Sequence, residues 1–271
     1  MIISVDIGGT KVRVGYSRLG DYLEDTIEFD TPVSQRAVVP KLIETINLLV
    51  GSSKIDAIGI ASPASINKAR GTIIRSRNLA WKNLRITLPL KKHYGCPVLF
   101  EHDATAAGIA EARNGGGKGH ALVLYVTIST GIGSSIIFNG QPLSQKHNSQ
   151  GGDQIIKDDY SNPVAYYATS SGKAIEQQYK HPASGITNPA TWKLIARDMA
   201  TGLYNMIAIV QPDCVVLGGG VSVHYKRFIK PLKRSLAEFG PTYPLPLIKR
   251  ARYVETAPMM GVLLLAAEEL Q

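Results

Sequence analysis

Two stretches of the chain share one plan. SVDIGGTKVRVGYS begins at Ser4, and YVTISTGIGSSIIFNG begins at Tyr125. Each reads as an apolar strand, a turn of glycine and hydroxyl residues, and a second apolar strand. A period of about 120 residues is too long for a solenoid and points to two domains built alike. The turns constrain the chain further. Gly8 and Gly9 supply no side chain to pack and carry an entropic cost, so a tight turn or a close backbone approach must require them. A plain hairpin is one reading of either turn alone. A concave arc of backbone N–H groups that binds an oxyanion is the other. Thr10 adds a hydroxyl, Lys11 a cation, and Asp6 a carboxylate able to hold a metal ion through water. Ser129, Thr130, Gly131, Ile132 and Gly133 offer similar equipment, and two such turns suit a clamp on a polyphosphate.

The segments between the turns predict an α/β chain. YLEDTIEF follows the first hairpin as a third strand. Val38, Val39, Leu42, Ile43, Ile46, Leu49 and Val50 fall at helical spacing, with Gly51 at the stop position. KIDAIGIASPA and CPVLFEHD read as strands, and ATAAGIAEAR as a helix rich in small residues. The stretch from Pro142 to Ser170 is polar and aperiodic and reads as a long loop. A long helix then starts at Asn188 as N-cap with Pro189 at its first position. Trp192, Ile195, Met199, Leu203, Met206 and Ile207 mark its apolar face. CVVL is a strand leading through Gly218, Gly219 and Gly220 into a helix, and APMMGVLLLAAEEL is a closing apolar helix.

Composition narrows the functional classes. No apolar run reaches the length of a membrane span, and no signal peptide is expected at the N-terminus. Cys96 and Cys214 are the only cysteines and form no CxxC pair, which fits a reducing cytoplasm without disulfides or a cysteine zinc site. The net charge of +9 admits nucleic acid as a partner. The basic residues are scattered without aromatic interleaving, however, and a positive field attracts anionic nucleotides equally well. The triple glycine either starts a helix or lets backbone approach a flat ring such as adenine. GxGxxG is absent, so a dinucleotide fold is not supported. Asp103 either caps the helix after CPVLFEH or serves as a general base toward a substrate hydroxyl.

Taken together, these stretches resemble the ROK family of sugar kinases, within the actin-like, hexokinase-like ATPases. DIGGTK resembles the family's first phosphate motif, STGIG its LGTGIG, and VVLGGGVS its adenosine motif. IGIASPASI resembles IGIPGPVD, RNLAW resembles PNLxW, EHDATAAGIAEA resembles NDANAAALGEA, and YATSSGKAI resembles the region of its ASG. The order holds over essentially the whole chain. The resemblance implies a two-domain actin-like (ribonuclease H-like) fold, with mixed sheets, flanking helices and an interdomain cleft. The domains are expected at 1–113, completed by a C-terminal helix 257–271, and at 114–256. It implies Mg-ATP on Asp6, Gly8, Gly9, Thr10, Lys11, Thr130 and Gly131, with Asp6 reaching magnesium indirectly and the adenosine on Gly218, Gly219 and Gly220. It implies a sugar on Asn78, His102, Asp103 and Asp153, with Asp103 as the catalytic base.

The departures matter as much. The family's GEIGH becomes GDQII, with Asp153 for the glutamate and Ile156 for the histidine. Tyr167 falls near a second sugar-binding glutamate, and Thr105 replaces an asparagine. The cysteine segment that carries the family's zinc is missing, so no zinc is expected. No helix-turn-helix segment precedes the first strand, which disfavours the family's repressor branch. The expected activity is transfer of the ATP γ-phosphate to a hexose or hexose derivative by a cytoplasmic protein. A homodimer is the assembly the family suggests, with no nucleic-acid or membrane partner. The alternative is a nucleotide- or sugar-binding protein of the same fold without turnover.

Overall fold

The opening run of β-branched residues forms strand β1 (Ile2–Ile7), whose side chains are almost all excluded from water. The computed structural model describes residues 1–76, 81–144, 148–158 and 161–270. Gly8 turns the chain into β2 (Lys11–Ser17), antiparallel to β1, and β3 (Asp25–Asp30) completes the meander. Helix α1 (Gln35–Val50) follows and stops at Gly51, whose φ of 59° suits glycine. β4 (Ala57–Ser62) returns parallel to β1. A separate antiparallel sheet of β5 (Ser65–Asn67), β6 (Thr72–Arg75) and β7 (Lys82–Arg85) comes next, then α2 (Thr87–Tyr94). Neither this sheet nor α2 announces itself by periodicity. β8 (Val98–His102) lies parallel to β4 and runs directly into α3 (Asp103–Asn114).

The second half repeats the first. β9 (Leu122–Ile128) and β10 (Ile132–Phe138) form the second hairpin, and β11 (Gln141–Pro142) pairs with β10. The stretch read as a loop is ordered by short elements instead. It holds a 3-10 turn (Gly151–Asp153), the hairpin β12 (Ile155–Lys157) and β13 (Pro163–Ala165), and helix α4 (Tyr167–Ser170). Strands of three residues carry no legible period, so sequence pattern could not reveal them. Gln154 anchors this stretch: its amide donates to the carbonyls of Gly151 and Gly202 at 2.8 and 3.0 Å and accepts from Asn205 at 3.0 Å. Then come α5 (Gly172–Tyr179), α6 (Pro189–Val210), β14 (Cys214–Gly218), α7 (Tyr225–Glu238), β15 (Leu247–Arg250) and α8 (Ala257–Glu268). The Asn188 side chain caps α6 by accepting from Ala190 N at 2.9 Å, with Pro189 in the first turn.

Among the described residues the two large sheets have one topology. The orders are β3-β2-β1-β4-β8 and β11-β10-β9-β14-β15, each an antiparallel meander followed by two parallel strands. The repeat in the sequence is therefore a repeat of sheet architecture. The chain divides into two compact units, Met1–Ala110 with Thr256–Gln271, and Glu111–Glu255.

Each unit has its own core. In the first, Ile3, Val5, Ile7, Val12 and Val14 pack with Val38, Leu42 and Ile46 of α1. In the second, Leu124, Val126, Val215 and Leu217 pack with Trp192, Ile195, Met199 and Leu203 of α6. Each such side chain contributes roughly 1.5–3 kcal/mol on burial. The opposite face of the first sheet receives α8, which approaches until Ala61, Ala106 and Val262 touch. A Cβ on Gly59 would overlap the Val262 carbonyl, and one on Gly261 the Ala106 carbonyl. Backbone cannot yield there without moving the helix. Gly59→Ala is therefore expected to lower stability by about 3 kcal/mol, read as a shift of the urea unfolding midpoint. An unchanged midpoint would show that α8 can slide.

Candidate active site

The first unit gathers its polar groups at the ends of its parallel strands. Parallel pairing sets Asp6 beside Ala61 and Ala61 beside Glu101. Ser62 and His102 pair one residue further on. Crevices at the carboxyl ends of parallel strands are the usual ligand positions in α/β sheets. Asp103 is the first residue of α3, and its Oδ1 accepts from Ala104 N at 2.6 Å. Its side chain keeps 27% exposure, so the carboxylate both orders the helix start and faces solvent.

The residue before the strand's last one holds this end in place. Buried Glu101 accepts from its own neighbour's backbone, His102 N, at 2.8 Å. It also pairs with Lys68 Nζ at 2.7 Å. A buried carboxylate without such a partner would be strongly destabilising. Sequence reasoning passed over Glu101 and Lys68, because only the fold brings the β5–β6 turn to β8.

His102 is buried, with Nδ1 3.3 Å from Asp103 Oδ1, yet that nitrogen makes no hydrogen bond. Ser62 Oγ is likewise buried without a partner. Such groups are costly, and these two sit on paired residues beside Asp103.

Asp6 is half-buried, and its pKa is pushed from 3.8 up to about 7. Exclusion from water is the main cause, the Asp103 charge adds to it, and Arg13, its cross-strand partner, opposes both. The Asp6 carboxylate is a hard oxygen donor that suits magnesium, which keeps several waters and takes one or two carboxylates. Among the described residues no third histidine, cysteine or acidic residue joins Asp6 and Asp103 as a closed metal cage.

The first turn is tightly made. Gly8 N donates to Lys11 O at 2.9 Å, and a Cβ on Gly8 would press on that oxygen. Thr31 pins the turn by donating from its hydroxyl to Gly8 O at 2.8 Å. Gly9 and Thr10 are exposed. Lys11 is engaged: its ammonium lies 2.9 Å from Asp30 and 3.7 Å from Glu28, and the Asp30 hydrogen bond raises its pKa. It thus enters any phosphate site already half-compensated. Asn78 lies outside the described residues.

The second unit holds an open pocket of about 560 Å³. Ser129 and Thr130 from the second turn line it, with Gly172, Lys173 and Glu176 from α5 and its start. Pro182, Ala183, Ser184, Gly220, Val221 and His224 complete the wall. Its three glycines differ in purpose. A Cβ on Gly218 would strike the Tyr125 hydroxyl, and Gly219 has a φ of 79° beside the Ile128 carbonyl. Gly220 meets nothing within 4 Å, and neither does Gly131. Packing explains the first two glycines, whereas open space at Gly220 leaves room for a ligand against bare backbone. Lys173, Glu176, the 182–184 wall and His224 were not identified from sequence. The resembling segment YATSSGKAI was the one available signal.

A family model described as ROK family matches residues 2–269. The chain belongs to the ROK family. A glucokinase of Streptomyces coelicolor is 24% identical over 311 residues, spanning 99% of this chain and 98% of that protein. A putative fructokinase of Bacillus subtilis is 27% identical, spanning 100% and 97%. The crystal structure of a ROK family glucokinase from Streptomyces griseus in complex with glucose and AMPPNP superposes with a TM-score of 0.83. It is 22% identical and covers 98% of this chain and 99% of that one. The fold is that of the actin-like ATPases, as the duplicated sheets indicate.

Within this ROK fold the altered loop has a definite placement. Ile156 is buried in the core of the second unit. Asp153 is exposed on the 3-10 turn. Gly152 is required, since a Cβ there would overlap the Ile132 carbonyl. Among the described residues no helix is long and apolar enough to cross a membrane.

The raised pKa of Asp6 has a testable sign. The folded state holds the proton more tightly than the unfolded state, so Asp6 contributes stability below pH about 4 that is lost as pH rises to about 7. In metal-free protein, Asp6→Asn is expected to gain stability relative to wild type across that window and to plateau above it. Urea midpoints from pH 4 to 9 read the difference. A constant difference would place Asp6 in water.

Proposed function

We propose that the chain transfers the γ-phosphoryl group of ATP to a hydroxyl of a hexose or hexose derivative. The observation that carries this is Asp103: a partly exposed carboxylate fixed at the start of α3, beside Asp6 and two unpartnered polar atoms, at the end of parallel strands. Asp103 takes the proton of the acceptor hydroxyl. The freed oxygen bonds to the γ-phosphorus, the bond from that phosphorus to the bridging oxygen breaks, and ADP leaves with the electron pair. Exposed backbone at Ser129–Gly131 and at Gly9–Thr10 suits the phosphates, and the open face of Gly220 suits the adenosine. Gly218 and Gly219 support that strand end from behind. His102 and, on the second unit, Asp153 are the polar groups assigned to the sugar, with Asn78.

Asp6, through water, is the group that would hold magnesium. When bound, the metal neutralises phosphate charge and favours the ionised form of Asp6. Positioning and electrostatics carry most of the barrier reduction in such transfers. The names of relatives, glucokinase and putative fructokinase, support a sugar as the acceptor.

One observation favours a second reading, binding without turnover. Ile156, which the resemblance sets in place of a histidine, is spent on core packing. Two variants separate the readings. Asp103→Asn is expected to lower kcat for sugar-dependent ADP release by about 10²–10⁴-fold while nucleotide affinity by calorimetry holds. Equal turnover in this variant would remove Asp103 from the mechanism, and no turnover of wild type on any sugar would favour the binding protein.

Gly220→Val places a side chain where nothing lies within 4 Å, so the fold should tolerate it. It is expected to weaken ATP binding by at least about tenfold, or 1.4 kcal/mol, with an unchanged Tm. Undiminished affinity would put the nucleotide elsewhere.

A further inference from the structure

A second cavity in the same unit is lined by cations. It measures about 440 Å³, and its walls are Val223, His224, Tyr225, Lys226, Arg227 and Arg250. No carboxylate lines it, and among the described residues Lys226, Arg227 and Arg250 form no ion pair. What sets these three apart is their gathering around one concavity. Concentrating like charges in a concavity is unfavourable unless an anion offsets them.

The three cations are exposed, and part of the wall is fixed by hydrogen bonds. Arg227 donates to the Ile186 carbonyl, and the Tyr225 hydroxyl donates to Ile248 O at 2.6 Å. Arg250 ends β15, in register with Leu217 of β14. His224 sits against Trp192, ring centroids 5.5 Å apart. Burial lowers its pKa, and the charges of Arg227 and Arg250 lower it further. His224 also lines the 560 Å³ pocket, so the two cavities share a wall.

We propose that this cavity binds a phosphate-class oxyanion, with Lys226, Arg227 and Arg250 as its cations and His224 as the wall it shares with the neighbouring pocket. Guanidinium forks match tetrahedral oxyanions in geometry, and their weak hydration suits a concave site. The inference stands on charge and shape in the second unit and does not depend on phosphotransfer or on Asp103. The phosphate could belong to a free anion or to a nucleotide seated in the adjoining pocket. Both have one recognition chemistry.

The test uses calorimetry on the whole protein with orthophosphate, inorganic tripolyphosphate and ADP as separate probes. Lys226→Glu with Arg250→Glu should weaken tripolyphosphate binding by at least about tenfold. Lys230→Glu with Lys233→Glu changes net charge equally on exposed positions of α7 that do not line the cavity. This control should weaken binding by less than about threefold. If both pairs weaken it alike, or wild type binds neither inorganic probe nor loses ADP affinity in the first pair, the proposal is overturned. The neutral pair Lys226→Gln with Arg250→Gln repeats the test should charge reversal disturb β15, with Tm as the folding check. Inorganic binding that persists under saturating ADP identifies a free-anion site. A loss confined to ADP assigns the site to the nucleotide. Either outcome supports the cavity as an oxyanion site.

Discussion

Parallel registration of β1, β4 and β8 is the constraint on which the first unit's chemistry depends. It places Asp6, Ser62, Glu101 and His102 at one sheet end and starts α3 with Asp103 directly beyond it. A slip by one residue would send alternate side chains to the opposite face and exchange the polar groups for core residues. The register is secured from both sides. Ile58 and Ile60 enter the core with α1, while Gly59 and Ala61 let α8 lie close on the other face. The Glu101–Lys68 pair then ties the end of β8 to the turn after β5.

That edge is poorly satisfied by its own protein. Two carboxylates repel, with Asp6 held near a pKa of 7, and two buried polar atoms find no partner. A buried carboxylate of the second unit is met differently. Buried Glu111 accepts from the backbone N–H groups of Gly116, Arg252 and Tyr253 at 2.7–3.0 Å. Concentrating unmet charge and hydrogen-bonding capacity in one place is how a fold prepares for a ligand that supplies the missing partners.

Legibility followed the range of the interactions. Helix α6 could be read from Asn188, Pro189 and a stripe of apolar residues because cap and period are local. The hairpins and their turns were legible for the same reason, and their repetition revealed the duplicated sheet. The 142–170 stretch was misread as a loop because β12 and β13 are too short to show a period and depend on Gln154 reaching α6. The motif offers Lys11 as a phosphate ligand. The strand pairing of β2 with β3 gives it Asp30 as a neighbour, which the motif alone does not disclose.

The three consecutive glycines mark the boundary between the two kinds of knowledge. By itself the sequence determined where the strands, caps and turns lie, and that a family pattern runs from one end to the other, because those depend on neighbouring residues. Only the tertiary structure decided that Gly218 and Gly219 serve packing while Gly220 faces open space, and that Ile156 belongs to the core. It alone decided that Asp6 is short of water and close to a second carboxylate. Burial and charge proximity depend on which distant segments the fold excludes solvent between, and no local pattern of residues encodes them.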